Sequence, residues 1–138
     1  MVFVGVDGGA TRTRAVAVGD DGKVRAWTVA GPGNYQQIGL GGLGELLAQV
    51  VADLGLAGAT EPVVVCLALA GAGRAGEQAQ VMALVRARGW AQTVVVVSDA
   101  RAALEGAHGG GCGIIVIAGT GSIVLGKGPA GAEVRAGG

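Results

Sequence analysis

The stretch Val4-Gly5-Val6-Asp7-Gly8-Gly9-Ala10-Thr11-Arg12-Thr13 decides the fold, because it joins two predicted strands through a loop suited to an anion. The apolar run Met1–Val6 predicts a buried strand, and the alternation over Thr13–Val18 predicts a second strand. Between them, Gly8 and Gly9 let the backbone approach an anion closely and aim its N–H groups at it. Asp-Gly is also a common hairpin signal, so a plain turn is the alternative interpretation.

Working outward, Lys23–Ala30 predicts a third strand that completes an antiparallel meander. Helical spacing of apolar residues predicts a helix over Leu40–Leu54, and the continuous apolar run Val63–Ala70 predicts a strand buried on both faces, as in a parallel sheet. The fold class is therefore α/β, with a mixed sheet in the order βββαβαβ flanked by helices. The remaining predicted elements are a helix at Gly76–Arg88, a strand at Thr93–Val97, a helix at Asp99–Ala107, and strands at Ile114–Ala118 and Ile123–Lys127.

The composition of the 138-residue chain excludes several classes of protein. Ten basic and ten acidic side chains give a net charge of zero, so a basic face for nucleic acid is not expected. An apolar fraction of 51% argues against disorder, and no apolar run is long enough to span a membrane. The amino terminus carries no basic secretion leader, and Cys66 and Cys112 are expected to be buried free thiols. A cytoplasmic location follows as an expectation.

Two further segments have residues suited to chemistry. Ala118-Gly119-Thr120-Gly121-Ser122 follows a predicted strand and repeats the glycines and hydroxyls of the first loop, which suggests two clamps on one polyphosphate. Neither segment has the Walker P-loop pattern. Asp99 follows a predicted strand, where open α/β sheets bind ligands, and is a candidate general base toward a hydroxyl. A helix N-cap is the alternative for Asp99.

The segment Gly71-Ala72-Gly73-Arg74-Ala75-Gly76 matches the dinucleotide-binding pattern between a predicted strand and a predicted helix. An NAD-binding module is therefore an alternative interpretation. Against it, Asp99 lies 28 positions after Gly71, beyond the usual spacing of about 20. Such a module would also leave the amino-terminal meander and the Gly119–Ser122 loop without a role.

Four motifs occur in order along the chain: Val4–Thr13, Gly31-Pro32-Gly33-Asn34, Ser98-Asp99-Ala100 and Ile117–Ser122. Together they resemble the N-acetylglucosamine kinase and BadF/BadG/BcrA/BcrD-type ATPase family of the actin-like, Hsp70-like, hexokinase-like superfamily. The resemblance implies an RNase-H-like first lobe over residues 1–108. It also implies that residues 109–138 form the opening β-hairpins of a second, similar lobe.

The resemblance further implies roles for individual residues. ATP and Mg²⁺ would be the cofactors, with Asp7 holding the metal through water. Asp99 would take the proton from the attacking hydroxyl. The phosphates of ATP would be bound by Asp7, Gly8, Gly9, Thr11, Thr13, Gly119, Thr120, Gly121 and Ser122. The sugar would be bound by Asn34, Gly71, Asp99 and Gly138.

The function that the resemblance implies is phosphorylation of an amino sugar such as N-acetylglucosamine by ATP. The closest alternative is an ATPase that activates a partner enzyme, and the relatives of that type carry an iron–sulfur cluster. The expected partners are a small sugar and ATP, without nucleic acid or membrane, and the oligomeric state is left open, a homodimer included. In the family, a Trp-Gly pair and an acidic sugar-binding residue would follow Gly138. The chain is therefore expected to be a fragment that is weakly active or inactive alone.

Overall fold

The chain forms eight strands and three helices within residues 1–119 and 121–138, which the computed structural model describes. In chain order they are β1 (Val2–Gly8), β2 (Thr13–Gly19), β3 (Val24–Ala30), α1 (Tyr35–Asp53), β4 (Val63–Leu69), α2 (Ala75–Arg88), β5 (Thr93–Ser98), α3 (Asp99–His108), β6 (Gly113–Ala118), β7 (Ser122–Lys127) and β8 (Glu133–Gly137). This is the predicted order, with β8 as an addition. The larger sheet has the strand order β3-β2-β1-β4-β5, in which β1 to β3 form an antiparallel meander and β4 and β5 run parallel to β1.

One face of the larger sheet packs against α1 and α2. Side chains alternate along a strand, and every second residue of β4 points into this core, where Val65 and Leu67 are fully buried. Leu43 and Val50 of α1 and Val81 of α2 complete the same cluster. Burying each such side chain contributes about 1.5–3 kcal/mol. This core therefore stabilises the packing of α1 and α2 on the larger sheet.

The opposite face of the larger sheet is open and apolar. Phe3, Trp27 and Val95 expose 44%, 72% and 43% of their surface there, and Cys66 is exposed beside them. The prediction that Val63–Ala70 is buried on both faces is therefore wrong, because the first five residues of β4 alternate between buried and partly or fully exposed. A continuous apolar run does not show by itself which of its two faces is covered.

Helix α1 begins at Tyr35 rather than at the predicted Leu40. Asn34 is its N-cap, with the side-chain oxygen accepting a hydrogen bond from the Gln36 N–H at 2.9 Å. Gly39 has a φ of 63° and kinks the helix, so the apolar spacing locates only the part after the kink. Among the described residues, no helix combines the length and the apolarity needed to cross a membrane.

The described residues divide into two compact units, Met1–Ser98 and Asp99–Gly138. The second unit consists of α3 and an antiparallel sheet in the order β6-β7-β8. Its core brings Ala100 and Leu104 of α3 against Leu125 of β7. Helix α3 thus groups with the smaller sheet, while the expected lobe boundary after residue 108 stays a prediction.

A network of charged side chains ties α3 to the smaller sheet. Lys127 Nζ donates to Glu105 Oε1 at 2.8 Å and to the carbonyl of Gly110 at 2.9 Å. Arg101 pairs with both Glu105 and Glu133. Lys127, and Arg101 after it, hold the pKa of Glu105 below its ordinary value because they stabilise the ionised carboxylate. These side chains are partly exposed, so solvent screens the ion pairs and weakens their contribution to stability.

Candidate functional site

Three loops meet at one edge of the larger sheet. Because β1 and β4 are parallel, their carboxyl ends lie at the same edge, which is where open α/β sheets bind ligands. The first loop is Gly9–Arg12, between β1 and β2. The second loop, Gly31–Asn34, precedes α1, and the third loop, Ala70–Arg74, precedes α2.

Backbone hydrogen bonds join the three loops. The Gly33 N–H donates to the Gly9 carbonyl at 2.9 Å, and the Ala70 N–H donates to the Gly8 carbonyl at 2.9 Å. The Tyr35 N–H donates to the Ala70 carbonyl, also at 2.9 Å. The predicted site residues that the first unit brings together in this way are Asp7, Gly8, Gly9, Thr11, Thr13, Asn34 and Gly71.

The first loop offers backbone amides to an anion. The Gly9 N–H closes the loop onto the Arg12 carbonyl at 3.0 Å. The N–H groups of Ala10, Thr11 and Arg12 have no hydrogen-bond partner among the described residues, and all three residues are exposed. Consecutive unpaired amides in a turn are the donors that anion-binding concavities use. Ala10 and Arg12 were predicted only as members of this loop and were not named as individual phosphate ligands.

Asp7 stands beside this loop at the end of β1. Its Oδ2 lies 3.9 Å from Arg14 Nη1, and the two side chains are 60% and 56% exposed, so the ion pair is weak and solvated. A single exposed carboxylate next to phosphate-binding amides fits Mg²⁺, which keeps most of its waters and takes phosphate oxygens as ligands. No three His, Cys, Asp or Glu side chains of the described residues form a metal site of their own. A metal at Asp7 would therefore depend on the phosphates of a ligand.

Thr13 differs from Thr11 because it is buried. It is 1% exposed, and within residues 1–119 and 121–138 its Oγ1 has no hydrogen-bond partner. The hydroxyl faces Gly33 so closely that a side chain at position 33 would collide with it. A phosphate would reach this hydroxyl only after the second loop moved. The expected role of Thr13 as a phosphate ligand stays a prediction.

Replacing Thr13 with Val is expected to stabilise the protein. Valine has the same shape and removes a buried hydroxyl that lacks a partner, so the free energy of unfolding should rise by about 1 kcal/mol. Urea denaturation measures the change. Thr11→Val is the matched control, because Thr11 is exposed and its replacement should change the free energy by less than about 0.5 kcal/mol. A clear loss of stability in Thr13→Val would mean that the hydroxyl has a partner, such as a buried water.

Asn34 uses one end of its side-chain amide to cap α1. Its Oδ1 accepts from the Gln36 N–H at 2.9 Å, and this bond fixes the orientation of the amide, because only the oxygen can accept. A Cβ added at Gly71 would lie 2.7 Å from the same oxygen. The Nδ2 end is left for a ligand, since no described residue accepts from it. Asn34 therefore presents a hydrogen-bond donor suited to a ligand oxygen.

Gly71 closes the third loop against the start of α1. Its φ of 81° lies in the left-handed region that favours glycine. Gln36 Nε2 donates to the Gly71 carbonyl at 2.9 Å and to Glu77 Oε1 at 2.7 Å, and Glu77 Oε2 accepts from the Arg74 N–H at 2.9 Å. Sequence analysis missed Gln36 and Glu77, because neither lies in a motif and only the fold brings them together.

The Gly119–Ser122 loop lies in the second unit. The Gly119 N–H donates to the Gly121 carbonyl at 2.8 Å and closes the β6–β7 hairpin. Ser122 begins β7, and a Cβ added at Gly137, the last residue of β8, would lie 2.6 Å from the Ser122 carbonyl oxygen. Thr120, which sequence analysis places among the phosphate ligands, lies outside the described residues. The second unit thus holds its own group of predicted ligands.

Asp99 is the first residue of α3. Its Oδ1 accepts from the Ala100 N–H at 2.8 Å, and the side chain is exposed. One carboxylate oxygen therefore bonds to the first turn of the helix, but to the next residue rather than to the second or third N–H that an N-cap uses, so the capping alternative stays a prediction. The other oxygen, Oδ2, is available to accept a proton, so the two interpretations of Asp99 are compatible.

Cys66 and Cys112 are both exposed, so the expectation that they are buried is wrong. Cys66 lies on the open face of β4, and Cys112 directly precedes β6. Their apolar neighbours in sequence predicted burial, but Cys66 lies on the uncovered face of the larger sheet, and Cys112 lies outside that sheet. Buried thiols would argue against ligation of an iron–sulfur cluster, and because both thiols are exposed, that objection does not apply here.

The sheet does not support the dinucleotide alternative. A dinucleotide-binding sheet is mostly parallel and carries its glycine-rich turn after the first strand. Here β1, β2 and β3 are antiparallel, and Gly71–Gly76 follows β4. The Gly71 carbonyl is also occupied by Gln36. The segment works as a connection between loops rather than as an open pyrophosphate cradle.

Comparison with known protein families gives a match over nearly the whole chain. The model of the BadF/BadG/BcrA/BcrD ATPase family matches residues 4–138. The N-acetylmuramic acid/N-acetylglucosamine kinase of Clostridium acetobutylicum is 33% identical over 138 aligned residues, which cover 98% of this chain and 45% of that kinase. The expected family resemblance is thereby confirmed.

Comparison with solved structures confirms the predicted α/β architecture of actin-like ATPases. A protein of Chromobacterium violaceum, provisionally named an N-acetylglucosamine kinase, has a TM-score of 0.81 and 30% identity over 99% of this chain and 48% of its own. A Porphyromonas gingivalis protein with the same provisional name has a TM-score of 0.77 and 19% identity over 99% of this chain and 47% of its own, which shows the fold alone. The chain spans about half the length of the relatives it matches.

Proposed function

This chain belongs to the BadF/BadG/BcrA/BcrD ATPase family, and on that premise we propose that it is part of an ATP-dependent kinase that phosphorylates an amino sugar such as N-acetylglucosamine. Relatives at 33% and 30% identity that carry sugar-kinase names support the proposal. The observation that carries it is the edge of the larger sheet. There, unpaired amides of the first loop and the free Nδ2 of Asn34 belong to loops that hydrogen-bond to each other.

The two chemistries at this edge suit the two ligands of a sugar kinase. Backbone amides bind phosphate, and a fixed amide donor recognises a hydroxyl or carbonyl oxygen of a sugar. We assign the phosphates of ATP, with Mg²⁺ at Asp7, to the first loop and to the Gly119–Ser122 loop. The proposed sugar ligands are Asn34, Gly71, Asp99 and Gly138.

The proposed reaction needs positioning and charge neutralisation more than covalent chemistry, as phosphoryl transfer generally does. The first-loop amides would hold phosphate oxygens, and Mg²⁺ would supply neutralising charge when bound. Asp99 Oδ2 would accept the proton of the attacking hydroxyl. Because the chain spans about half of its relatives, we expect these 138 residues alone to bind ATP weakly and to turn over little sugar. Full hexosamine kinase activity from this chain alone would contradict that expectation.

Titration of the ¹⁵N-labelled chain followed by amide NMR tests the proposal. ATP with Mg²⁺ should shift the amide signals of Ala10, Thr11 and Arg12, and N-acetylglucosamine should shift the side-chain amide of Asn34 and the backbone amide of Gly71. NAD is the control ligand, because the dinucleotide alternative predicts shifts with NAD and none with ATP. Absence of shifts at both loops with ATP and sugar, each at millimolar concentration, would contradict the proposal.

The alternative function is an ATPase that activates a partner enzyme. The exposure of Cys66 and Cys112 is the observation that keeps it open, because an exposed thiol is accessible to a cluster shared with another chain. Anaerobically purified protein with visible absorbance from an iron–sulfur cluster would favour this alternative. Colourless protein that shows the Asn34 shift with sugar would favour the kinase.

A further inference from the structure

The backbones of Gly8 and Gly33 are in direct contact. A Cβ on Gly33 would lie 2.8 Å from the Cα of Gly8 and would collide with Thr13 Oγ1. A Cβ on Gly8 would lie 3.0 Å from the Gly33 carbonyl oxygen. Only glycine at both positions allows this approach. Together with the hydrogen bond from Gly33 to Gly9, the contact prevents the second loop from shifting independently of the first.

The third loop holds the second loop from its other side. The Tyr35 N–H donates to the Ala70 carbonyl at 2.9 Å, and Gln36 Nε2 donates to the Gly71 carbonyl at 2.9 Å. The Ala70 N–H in turn donates to the Gly8 carbonyl at 2.9 Å, which closes a ring of contacts back to β1. Displacement of one loop must therefore break or strain contacts with the other two.

We propose that Gly33 is a positioning residue that makes the three loops move as one body, so that a ligand on the first loop and a ligand on Asn34 strengthen each other's binding. The inference rests on the proposed function and adds a coupling between its two ligands. Gly33 touches neither ligand. It acts because it directly precedes Asn34 in the chain and packs against Gly8, which directly precedes the first loop.

Calorimetric titration of the full chain measures the coupling. The affinity for N-acetylglucosamine is determined without and with saturating ATP and Mg²⁺, and their ratio is the coupling factor. In the wild type we expect a factor of at least about 5, the lower end of typical coupling between sites. In Gly33→Ala we expect a factor near 1, since the added Cβ forces the two loops apart. A variant that was merely less stable would lose affinity for both ligands but keep the ratio.

Gly31→Ala is the matched control for this substitution. It makes the same chemical change in the same loop, but a Cβ at Gly31 would meet no atom within 4 Å. Gly31→Ala is therefore expected to keep the wild-type coupling factor. Loss of coupling in both variants would contradict the role of the Gly33 contact.

Amide hydrogen exchange tests the same idea without any ligand. In the wild type, the amides of Gly33, Tyr35 and Ala70 should open together with one common free energy, as a cooperative unit does. In Gly33→Ala, exchange at Tyr35 and Ala70 should be about tenfold faster or more, while Leu67 inside β4 keeps its protection. Protected Leu67 shows that the variant is folded. If the variant does not fold, the common free energy in the wild type remains the deciding measurement.

The failure of this inference is distinguishable from the failure of the proposed function. If both ligands bind with a coupling factor of 1 and the three amides open with different free energies, the coupling is refuted and the proposed function stands. If neither ligand binds, the proposed function fails, and the exchange data alone decide whether the loops form one body. Different opening free energies would refute it in that case too.

Discussion

Asp99→Asn is expected to lower the rate of phosphate transfer from ATP to N-acetylglucosamine by about 10²–10⁴-fold, the contribution that a positioned general base makes. Asparagine keeps an oxygen that can accept from the Ala100 N–H, so the start of α3 should stay intact. Only the proton-accepting carboxylate is lost. The rate is measured under single-turnover conditions, with protein in excess over radiolabelled ATP, because we expect slow transfer from this chain. Sugar affinity, measured in parallel, should weaken but stay measurable.

Asp20→Asn is the control for this experiment. Asp20 lies in the β2–β3 turn, is exposed, and has no proposed contact with either ligand, so its replacement removes a carboxylate without touching the chemistry. Its transfer rate should equal that of the wild type. Wild-type transfer by Asp99→Asn would contradict the base role and leave Asp99 with only its hydrogen bond to the Ala100 N–H.

The order of strands and helices along the chain and the position of the first loop were predictable, because local sequence determines both. The meander depends on alternation and on hairpin turns, both of which involve neighbours in sequence. The first loop can be recognised in the sequence because Gly8 and Gly9 directly follow the apolar run of a buried strand. Asn34 was also singled out, as a loop residue that would bind the sugar, and that role stays a prediction. Its second role as the N-cap of α1 became visible only with the Gln36 bond.

The errors arose where the answer depends on distant parts of the chain. Residues of β4 are uniformly apolar, so the sequence cannot show that α1 and α2 both pack on the same side and leave Cys66 exposed. Strand β8 was missed because its five residues include Glu133 and Arg135 and carry no apolar run. The bridge from Gln36 to Gly71 joins residues 35 positions apart, and no local pattern marks it.

Replacing Asn34 with Asp or with Ala should separate its two roles at the candidate site. Aspartate is as good an N-cap as asparagine, so Asn34→Asp should keep the stability of α1, whereas Asn34→Ala should lose about 1 kcal/mol of unfolding free energy. Both variants lose the Nδ2 donor. The affinity of both variants for N-acetylglucosamine should therefore fall by at least about tenfold, because an oxygen of the bound sugar loses its hydrogen-bond donor. Thermal denaturation and calorimetric titration measure the two effects.

Comparison of sugar affinity with stability in the two variants separates a donor role of Asn34 from a capping role. A ligand-donating Asn34 requires that affinity falls in both variants while stability falls only in Asn34→Ala. If affinity follows stability, so that Asn34→Asp binds like the wild type, Asn34 acts on the sugar only by holding the start of α1. Affinity for ATP with Mg²⁺ is the internal control, since the first-loop amides do not depend on the chemistry of this side chain. A donor role thus predicts that Asn34→Asp loses sugar affinity while it keeps the stability of the wild type. Neither capping nor packing by Asn34 would produce that result.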